Sequence, residues 1–572
     1  MNSLLISDAY KQSHKAQYPK GTNLVYSNWT PRSDVHAKTK NGVVVFGIQA
    51  FLKKLNKWFD DNFFSKPKSA VILEFKEDYT EYFGVEPDTE HVGQLHDLGY
   101  LPIIVKALPE GSICSIGVPM LTIYNSIPDF YWVTNFLETI ISTELWLPMT
   151  SATIAKEYRT ILDKWADKTC DNREHVPFQA HDFSMRGMSG LEAAMASGAG
   201  HLLSFVGSDT IPSVYYLKNY YKTDSKDGII ATSIPATEHS VMSMGTKEDE
   251  LGTFKRLITE TYPNGIVSIV SDTWDLWKVC TKYISTLKNE ILSRDGKVVI
   301  RPDSGDPVDI ICGSKKTVKE YSLKKCPTKK IFLKFAEDDM HDTLCGETPH
   351  GEYGGDCTKD YIWNGRIYTL NYDPDWNRYD KQYYFIDNYG DKTPSIINEK
   401  QLEINPSDVG VIELLWNVFG GTINNKGYKE LDPHIGAIYG DSITLERAEE
   451  ICIRLAEKGF ASSNIVFGVG SFTYQFNTRD TYGFAMKATY GEVNEAGRNI
   501  FKDPVTDDGI KKSAKGLLKV YRLRGAHGYS KYLLKDQCTW EEESEGDLSK
   551  VYENGKLLNE TTLTQIRKVL NG

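Results

Sequence analysis

Closely spaced cysteine pairs, long apolar runs and an excess of positive charge are all missing from this sequence. Its nine cysteines are scattered and never form a CxxC pair, which is typical of a reduced, cytoplasmic chain. The first residues, MNSLLISDAYKQSHK, lack the apolar core of a signal peptide. A net charge of −11 argues against a general affinity for nucleic acid or for anionic membranes. We therefore expect a cytoplasmic location and no nucleic-acid or membrane partner.

A membrane span and an ordinary P-loop are also absent from the sequence. The most apolar long segment, FYWVTNFLETIISTELWLPM, is interrupted by Glu138 and Glu144 and predicts a packed helix. The pattern GxxxxGK[ST] does not occur, which excludes the nucleotide site that this motif forms. The remaining composition is ordinary, because 40% hydrophobic and 25% charged residues over 572 positions predict a globular chain with two or more domains.

Short β-branched runs recur from about residue 178 onward, and each ends in polar residues or glycines. There are seven such runs: FQAHDF, LLSFV, IIATS, VSIVS, VVI, IGAIY and NIVF. Segments with helical periodicity lie between most of them, for example SGLEAAMASGAGHLL and DTWDLWKVCTKYISTLKNEIL. Alternation of strand and helix predicts an α/β barrel or a doubly wound sheet. In both folds the chemistry gathers at the carboxyl ends of the strands.

The residues that directly follow three of these apolar runs are candidates for a functional site. The segment SIPATEHS places Glu238 and His239 directly after IIATS, although these polar residues taken alone fit the start of an ordinary loop better. The segments YGDS and FGVGS contain Gly440 and Gly470, whose small size lets backbone N–H groups approach an anion. Phosphate sites are common near the last strands of α/β barrels, so a phosphate site is expected here.

One interval breaks the regular spacing of the strands. Residues 313–408 are rich in Tyr, Asp, Lys and Gly and separate two predicted strands by far more chain than their neighbours have between them. This interval predicts an inserted lobe with its own small β-structure. A structural or oligomer-related role for the lobe is favoured over that of a substrate lid.

Eight motifs in order, HDFSMRG, GSDT, SIPATEHS, IVSDTWD, IRPDSGDP, IYGDS, FGVGS and FKDP, resemble those of the nicotinamide phosphoribosyltransferase family. The resemblance implies an irregular α/β barrel of the type II phosphoribosyltransferase kind, packed on a second α+β domain. The implied boundaries are 1–150 and 481–572 for the α+β domain, 151–312 and 409–480 for the barrel, and 313–408 for the insertion. It also implies a homodimer whose active sites are shared between subunits.

The activity implied by the resemblance is the entry step of NAD salvage. Nicotinamide and phosphoribosyl pyrophosphate give nicotinamide mononucleotide and pyrophosphate, with Mg²⁺ carried mainly by the substrate phosphates. ATP is implied as a co-substrate that stimulates the reaction by transiently phosphorylating His239. By the same resemblance Asp275 orients the His239 ring and Glu238 adds negative charge nearby.

The resemblance and the chemistry of the reaction assign the other site residues. Asp303 is expected to act in catalysis near the ribose, because developing positive charge on a sugar requires carboxylates. The ribose is expected to contact Asp303, Gly440 and Asp441. The residues implied for nicotinamide are Phe183, Asp209, Arg301, Tyr10, Asp8, Ser233 and Ser271. Those implied for the phosphate and pyrophosphate groups are Arg186, Arg32, Lys502, Lys511, Arg479, Lys487, Gly470 and Ser471.

Two of these assignments have a physical basis of their own. Nicotinamide is flat and aromatic, so it suits a stack between Phe183 and Tyr10 of the partner subunit. Asp209 can accept a hydrogen bond from an amide NH₂ group and would repel the carboxylate of nicotinic acid. On its own, Asp209 fits a helix N-cap about equally well. Arg32, Lys502 and Lys511 are implied to reach pyrophosphate across the dimer.

The sequence departs from the family pattern at a few positions, and other functions remain open. Ser184 and Met185 stand where the animal enzymes have a glycine and an aromatic residue, FGVGS has fewer glycines than the animal FGSGGG, and Ala485 replaces a phosphate-binding serine. The nearest alternative is a nicotinate phosphoribosyltransferase. A quinolinate-using enzyme would require more cations around the ring. A non-enzymatic nicotinamide or nucleotide sensor would be expected to have lost His239 or Asp303, and both are present.

Overall fold

The computed structural model of the chain describes residues 1–223, 228–314, 319–346, 357–372, 395–401, 405–502, 514–524 and 530–571. They form two compact units. The first contains Met1–Leu276, Thr286–Pro307 and Phe419–Gly572, and the second contains Trp277–Ser285 and Val308–Val418. Of the predicted site residues, Lys511 lies outside the described residues.

A parallel sheet of six strands forms the barrel of the first unit. Its strands are short and apolar, and all five residues of Ile435–Tyr439 are buried, as expected for a parallel sheet covered on both faces. In spatial order the strands are Gly207–Ser208, Ala180–Asp182, Ile465–Val469, Ile435–Tyr439, Gly296–Arg301 and Gly265–Val270. Every adjacent pair is parallel, so the carboxyl ends of all six strands lie at the same edge.

The two edge strands of this sheet are joined by the segment that follows residue 231. Thr232 forms an isolated parallel bridge with Gly207 at one edge, and Ala236 forms another with Ser268 at the opposite edge. Pro235 has no N–H group with which to extend a ladder between these two bridges. The strand predicted at IIATS is therefore wrong, because this segment closes the barrel through single bridges and not as a strand.

The strand predicted at LLSFV is also displaced. The helix Leu191–His201 continues into a turn at 202–204, and the strand begins only at Gly207. The other five predicted runs each overlap a strand of the barrel sheet. The chain therefore alternates strand and helix as the sequence predicts, and only the strands Ala180–Asp182 and Gly207–Ser208 are shorter than the runs FQAHDF and LLSFV.

The described α-helices of nine residues or more include the two that the sequence predicts most clearly. The apolar segment at 130–149 leads into the 32-residue helix Glu138–Thr169, and SGLEAAMASGAGHLL forms Leu191–His201. By contrast, DTWDLWKVCTKYISTLKNEIL is broken into short helical pieces between Leu276 and Leu292. No described helix is both long and apolar enough to cross a membrane. The remaining long helices are Ile48–Phe59, Lys68–Phe83, Glu90–Leu98, Pro212–Tyr221, Lys329–Gly346, Val411–Phe419, Leu445–Glu457 and Leu563–Asn571.

A second sheet combines the two ends of the chain. All its strand pairs are antiparallel, and Trp29 pairs with Met486 in the register that joins the N-terminal and C-terminal parts. In spatial order its strands are Ala496–Asn499, Ala485–Val493, Thr22–Thr30, Leu121–Asn125, Ile103–Ala107, Ser549–Glu553 and Lys556–Leu557. We call it the outer sheet. The predicted barrel and the predicted α+β domain from both chain ends are thereby confirmed.

The second unit contains a small sheet of its own. Its strands, in spatial order, are Lys319–Tyr321, Cys357–Trp363, Arg366–Tyr372 and Ser395–Gln401. Phe332, on the helix Lys329–Gly346, stacks on Trp363 with ring centroids 5.3 Å apart and holds the helix against the sheet. The predicted β-structure within residues 313–408 is therefore present, while the segment boundaries drawn from the sequence stay predictions.

Candidate active site

Carboxylates from three strand ends meet at the mouth of the barrel. Asp303 follows the strand Gly296–Arg301, Asp272 follows Gly265–Val270, and Asp441 follows Ile435–Tyr439. Burial raises the pKa of Asp303 above its ordinary value, and the charges of Asp272 and Asp441 raise it further. Arg301 and His239 act in the opposite direction and reduce the rise. The mouth of the barrel thus concentrates negative charge.

Asp272 is a site residue that the sequence analysis did not select. Its Oδ2 accepts hydrogen bonds from the backbone N–H of Asp303 at 2.9 Å and from Ser304 Oγ at 2.5 Å. Its Oδ1 is buried and has no hydrogen-bond partner among the described residues. The signal was present in the sequence, because Asp272 directly follows the run VSIVS, whereas Asp275 was chosen instead.

Two glycines at the strand ends allow the carboxylates to pack closely. A Cβ atom at Gly440 would collide with Oδ1 of Asp303, and one at Gly470 would collide with Oδ1 of Asp441. The absence of a side chain at both glycines therefore gives room to the acidic cluster, by which we mean Asp272, Asp303 and Asp441. Their predicted contacts with ribose and phosphate stay predictions, as do those of Ser471.

His239 begins the short helix His239–Met244 and is half exposed. Its Nδ1 lies 3.1 Å from Thr273 Oγ1, and its Nε2 lies 3.8 Å from Asp303 Oδ2. The structure gives the two positions beside the imidazole to Thr273 and Asp303, and the predicted role of Asp275 stays a prediction. Glu238 is the residue immediately before the helix, and its carboxylate accepts a hydrogen bond from Ser240 Oγ.

Asp209 lies at the end of the edge strand Gly207–Ser208, next to Phe183. Its Oδ1 is 2.9 Å from His181 Nε2 and accepts a hydrogen bond from Ser233 Oγ at 2.5 Å. Burial alone would raise the pKa of Asp209, but these hydrogen bonds and the charge of Arg301 outweigh it, so the pKa is lowered. The ring centroids of His181 and Phe183 lie 4.6 Å apart, and the angle between the ring planes is 33°. The sequence analysis missed His181, although it stands in the motif HDFSMRG.

Arg301 and Ser271 hold neighbouring strand ends together. The Ser271 hydroxyl is fully buried and donates to the carbonyl of Ile269 at 2.7 Å, while its backbone N–H donates to the carbonyl of Arg301 at 2.9 Å. Arg301 Nη2 donates to the carbonyl of Thr237, in the segment that closes the barrel. Its Nε is buried without a partner in the described chain. The structure thus gives Ser271 a role in joining strands, and its predicted contact with nicotinamide stays a prediction.

Four of the predicted phosphate-binding cations lie together beside the outer sheet, around Lys487 on its strand Ala485–Val493. Burial lowers the pKa of Lys487 most, and the charge of Arg32 lowers it further, with smaller contributions from Lys502 and Arg479, while the charge of Glu138 acts in the opposite direction. Arg32 is held by a hydrogen bond from Nε to the carbonyl of Gly483 at 2.8 Å. We call these four residues the basic cluster. The cluster concentrates positive charge, and its predicted contacts with phosphate and pyrophosphate stay predictions.

The remaining predicted residues are placed separately. Arg186 is exposed on the turn Met185–Gly187 at the barrel mouth. Tyr10 is 59% exposed on the 3₁₀ turn Ala9–Ser13, and its ring contacts His14 at 5.0 Å. Asp8 accepts a hydrogen bond from Thr139 Oγ1 at 2.7 Å. The contacts predicted between nicotinamide and Tyr10 or Asp8 stay predictions.

The donor groups at the barrel mouth fit Mg²⁺ only in combination with a ligand. Carboxylate oxygens are the donors that Mg²⁺ prefers, and Asp303, Asp272 and Asp441 supply them. No set of three or more His, Cys, Asp or Glu residues in the described chain is arranged to hold a metal ion by itself. A Mg²⁺ ion at this site would therefore share its coordination with substrate phosphates.

Comparison with known proteins gives consistent results over the whole chain. The nicotinate phosphoribosyltransferase family model matches residues 178–335 and 399–567, and the N-terminal domain of nicotinamide phosphoribosyltransferase matches residues 2–94. The nicotinamide phosphoribosyltransferase of Acinetobacter baylyi is 42% identical over 582 residues, covering 100% of this chain and 97% of that protein. The enzyme of the same name from Mycoplasma pneumoniae is 32% identical over 524 residues, covering 89% of this chain and 93% of that protein.

A solved structure supports the fold. The crystal structure of human nicotinic acid phosphoribosyltransferase matches with a TM-score of 0.51 and 13% identity, covering 99% of this chain and 93% of that one. At this identity the match concerns the fold alone, and it agrees with the barrel and outer sheet described above. The family model matches more than half of the chain, and a relative more than 30% identical covers all of it. The chain therefore belongs to the nicotinate phosphoribosyltransferase family of pentosyltransferases.

Proposed function

We propose that the chain converts nicotinamide and phosphoribosyl pyrophosphate into nicotinamide mononucleotide and pyrophosphate, in NAD salvage. The observation that carries this proposal is the state of Asp209, whose Oδ1 is occupied by His181 and Ser233. A carboxylate only accepts hydrogen bonds, so the remaining oxygen suits the NH₂ group of an amide and opposes a second carboxylate. The names of the relatives from Acinetobacter baylyi and Mycoplasma pneumoniae support the same substrate.

The chemistry requires charge stabilisation more than proton transfer. The ring nitrogen of nicotinamide attacks C1 of the ribose while the bond from C1 to the pyrophosphate oxygen breaks, and the bonding electrons leave with pyrophosphate. The attacking nitrogen carries no proton, so no general base is needed. Positive charge develops on the ribose. The carboxylates of Asp303, Asp272 and Asp441 lie together at the barrel mouth and would stabilise this charge.

The leaving pyrophosphate requires cations. The basic cluster of Arg32, Lys487, Lys502 and Arg479 lies beside the outer sheet, and we propose that it serves the barrel mouth of a second copy. In that homodimer Tyr10 of the partner subunit, exposed in the single chain, would stack on nicotinamide opposite Phe183. When bound, Mg²⁺ would neutralise pyrophosphate charge beside Asp303 and Asp441.

His239 is proposed to couple ATP to the reaction. Its ring is half exposed, and a hydrogen bond from Nδ1–H to Thr273 would leave Nε2 with the lone pair that attacks a phosphoryl group. The γ-phosphoryl group of ATP would move to Nε2 with ADP as the leaving group, and water would later release it as phosphate. A phosphate on Nε2 would lie beside Asp303, which links the phosphorylation state to the acidic cluster.

A product assay tests the function directly. The purified protein is incubated with phosphoribosyl pyrophosphate, Mg²⁺ and either nicotinamide or nicotinic acid, with and without ATP, and the mononucleotides are separated chromatographically. We expect nicotinamide mononucleotide as the main product and a faster rate with ATP. A clear preference for nicotinic acid would contradict the proposal and favour the activity that the family description names.

A further inference from the structure

The two carboxyl oxygens of Asp209 have different surroundings. Oδ1 lies 2.9 Å from His181 Nε2 and 2.5 Å from Ser233 Oγ. Oδ2 has no hydrogen-bond partner within the described ranges, and the side chain keeps 45% of its surface exposed. One oxygen is thus held by the protein, and the other remains for a ligand.

His181 has little freedom to move with Asp209. The residue is 8% exposed, its ring lies against Phe183, and a Cβ atom on Gly207 would stand 2.9 Å from its Nδ1. The backbone N–H of Asp209 donates to the carbonyl of Asp182 at 2.9 Å, which ties the two strand ends together. The position of the buried imidazole therefore dictates where the carboxylate lies.

The alternative position for the carboxylate is set by Arg301. The charge of this guanidinium already acts on Asp209, and its Nε is buried without a partner in the part of the chain that the structure describes. Ser233 is exposed, so its rotatable hydroxyl offers a weaker restraint than the packed imidazole. Without His181, Asp209 could turn toward Arg301, where the charges would cancel and both the acceptor and the repulsive charge would be lost to the ligand.

We propose that His181 is a positioning residue that sets the preference for a neutral amide over a carboxylate, by holding Asp209 Oδ1 and leaving Oδ2 directed at the substrate. The proposal rests on the proposed function, because it concerns the selectivity of the same site. His181 does not contact the reacting atoms. It acts on selectivity through the carboxylate of Asp209.

The test compares two replacements of His181. His181→Gln keeps an N–H donor at a similar reach, and His181→Leu fills a similar volume without a donor. We measure kcat and KM for nicotinamide and for nicotinic acid and form the ratio of the two kcat/KM values. The Leu variant is expected to lower this ratio roughly 10-fold or more, mainly by raising KM for nicotinamide, while the Gln variant keeps the wild-type ratio.

A second variant moves the imidazole without changing it. Gly207→Ala introduces a methyl group against Nδ1 of His181 and is expected to lower the same ratio, which keeps the test valid if His181→Leu does not fold. The matched control is His434→Leu. His434 Nδ1 lies 2.7 Å from Asp432 Oδ1 just before the strand Ile435–Tyr439, at the opposite end of the barrel, so its loss should leave the ratio unchanged.

The outcomes separate the two proposals. A wild-type protein that prefers nicotinic acid contradicts the proposed function, and with it the amide preference that His181 is proposed to set. A wild-type protein that prefers nicotinamide, together with an unchanged ratio in His181→Leu and Gly207→Ala, contradicts the role of His181 alone. An equal fall of the ratio in the Gln and Leu variants also overturns it, because the ring packing and not the donor would then be responsible.

Discussion

Asp209, Asp303 and His239 each owe their proposed roles to the groups beside them. Asp209 is kept charged by His181, Ser233 and Arg301, whereas burial and two neighbouring carboxylates make Asp303 harder to ionise. The same residue type therefore has opposite pKa shifts at two strand ends of the barrel sheet. The lowered pKa suits Asp209 to accept a hydrogen bond from an amide, while the negative charges that raise the pKa of Asp303 are the charges that would stabilise a positive charge on the ribose.

Replacing His239 by alanine should separate the basal reaction from its coupling to ATP. Since His239 takes no part in the bond between nicotinamide and ribose, His239→Ala should slow the basal rate by less than about 10-fold and abolish the stimulation by ATP. The measurement is the initial rate of mononucleotide formation at several ATP concentrations, together with ADP release. Stimulation by ATP that survives in the variant would refute the phosphohistidine role.

Replacing Asp209 should relax the choice between the amide and the acid. Asp209→Ser removes both the acceptor for the amide and the charge that opposes nicotinic acid, so the ratio of kcat/KM for the two substrates should fall by roughly 100-fold. Competition between the two labelled substrates in one reaction measures this ratio directly. A variant as selective as the wild type would show that the discrimination lies elsewhere.

Glu110 is a buried carboxyl group outside the active site. It lies at the start of the helix Ile48–Phe59, accepts hydrogen bonds from the backbone N–H of Gly47 and Gln49, and accepts another from Tyr221 at 2.8 Å. Burial raises its pKa from 4.5 to about 7, against the lowering by these hydrogen bonds. The protonated form is therefore favoured in the folded state relative to the unfolded chain.

Stability should consequently fall as the pH rises toward neutrality. An acid with a raised pKa in the folded state contributes stability that is complete below about pH 4.5 and is lost as the pH rises through about 7, by at most about 1.4 kcal/mol per pH unit. The glutamine in Glu110→Gln cannot ionise, so this variant should lack the pH-dependent contribution to stability. Comparing the melting temperatures of both proteins between pH 4.5 and 7.5 tests it, and parallel curves would contradict the assignment.

At the scale of elements, the strand ends depend on glycine to bring carboxylates together. The end of Ile435–Tyr439 is followed by Gly440, which lies against Asp303, and the end of Ile465–Val469 is followed by Gly470, which lies against Asp441. The end of Ile435–Tyr439 thus supplies both the carboxylate of Asp441 and, at Gly440, the space for Asp303, while Gly470 supplies the space for Asp441. The sequence analysis assigned these glycines to phosphate and ribose, and the structure adds this packing role.

Adding a methyl group at Gly440 should displace Asp303. Because a misplacement of about 1 Å in an active site can cost about 100-fold in rate, Gly440→Ala should lower kcat by about that factor with a smaller change in stability. The control is Gly436→Ala, in the strand that Gly440 follows, whose methyl group would meet only the Lys297 side chain, at 3.2 Å. Steady-state kinetics and thermal unfolding are measured for both variants. Similar activities of the two variants would contradict the packing role of Gly440.

At the scale of the whole molecule, the site residues fall into two groups on different sheets. The acidic cluster, Phe183 and Asp209 lie at the barrel mouth, while the basic cluster lies beside the outer sheet. The net charge of −11 is a sum over the chain, so it does not reveal this separation of opposite charges. A head-to-tail homodimer would place the basic cluster of one copy at the acidic mouth of the other, with pyrophosphate between them.

Mixing two inactive variants tests whether the sites are shared. Asp303→Ala damages the barrel mouth and Lys487→Ala damages the basic cluster, so each homodimer should be inactive. After unfolding and refolding together in equal amounts, half of the dimers are mixed and each holds one intact site, which should restore roughly a quarter of the wild-type activity. The absence of any recovery, with dimers present by light scattering, would indicate that each site belongs to a single chain.

Local sequence determined much of this protein by itself. Apolar β-branched runs placed the strands, three- and four-residue periodicity placed the helix Leu191–His201, and polar residues at run ends located Asp303, Asp441 and His239. These features depend on neighbours in sequence, because strand and helix preferences arise from residues a few positions apart. They predicted an α/β barrel or a doubly wound sheet, and the resemblance of eight motifs then implied the barrel and the family.

Only the tertiary structure decided which distant groups touch. The bridges at Thr232 and Ala236 that close the barrel join residues 25 or more positions apart. The same is true of the contacts of His181 with Asp209 and of His239 with Thr273. No local sequence pattern encodes which of these residues meet. The basic cluster likewise joins Arg32 to Lys487 because the two chain ends pair in one sheet. Local preference fixes an element, whereas the partners of a side chain are set by how distant elements pack.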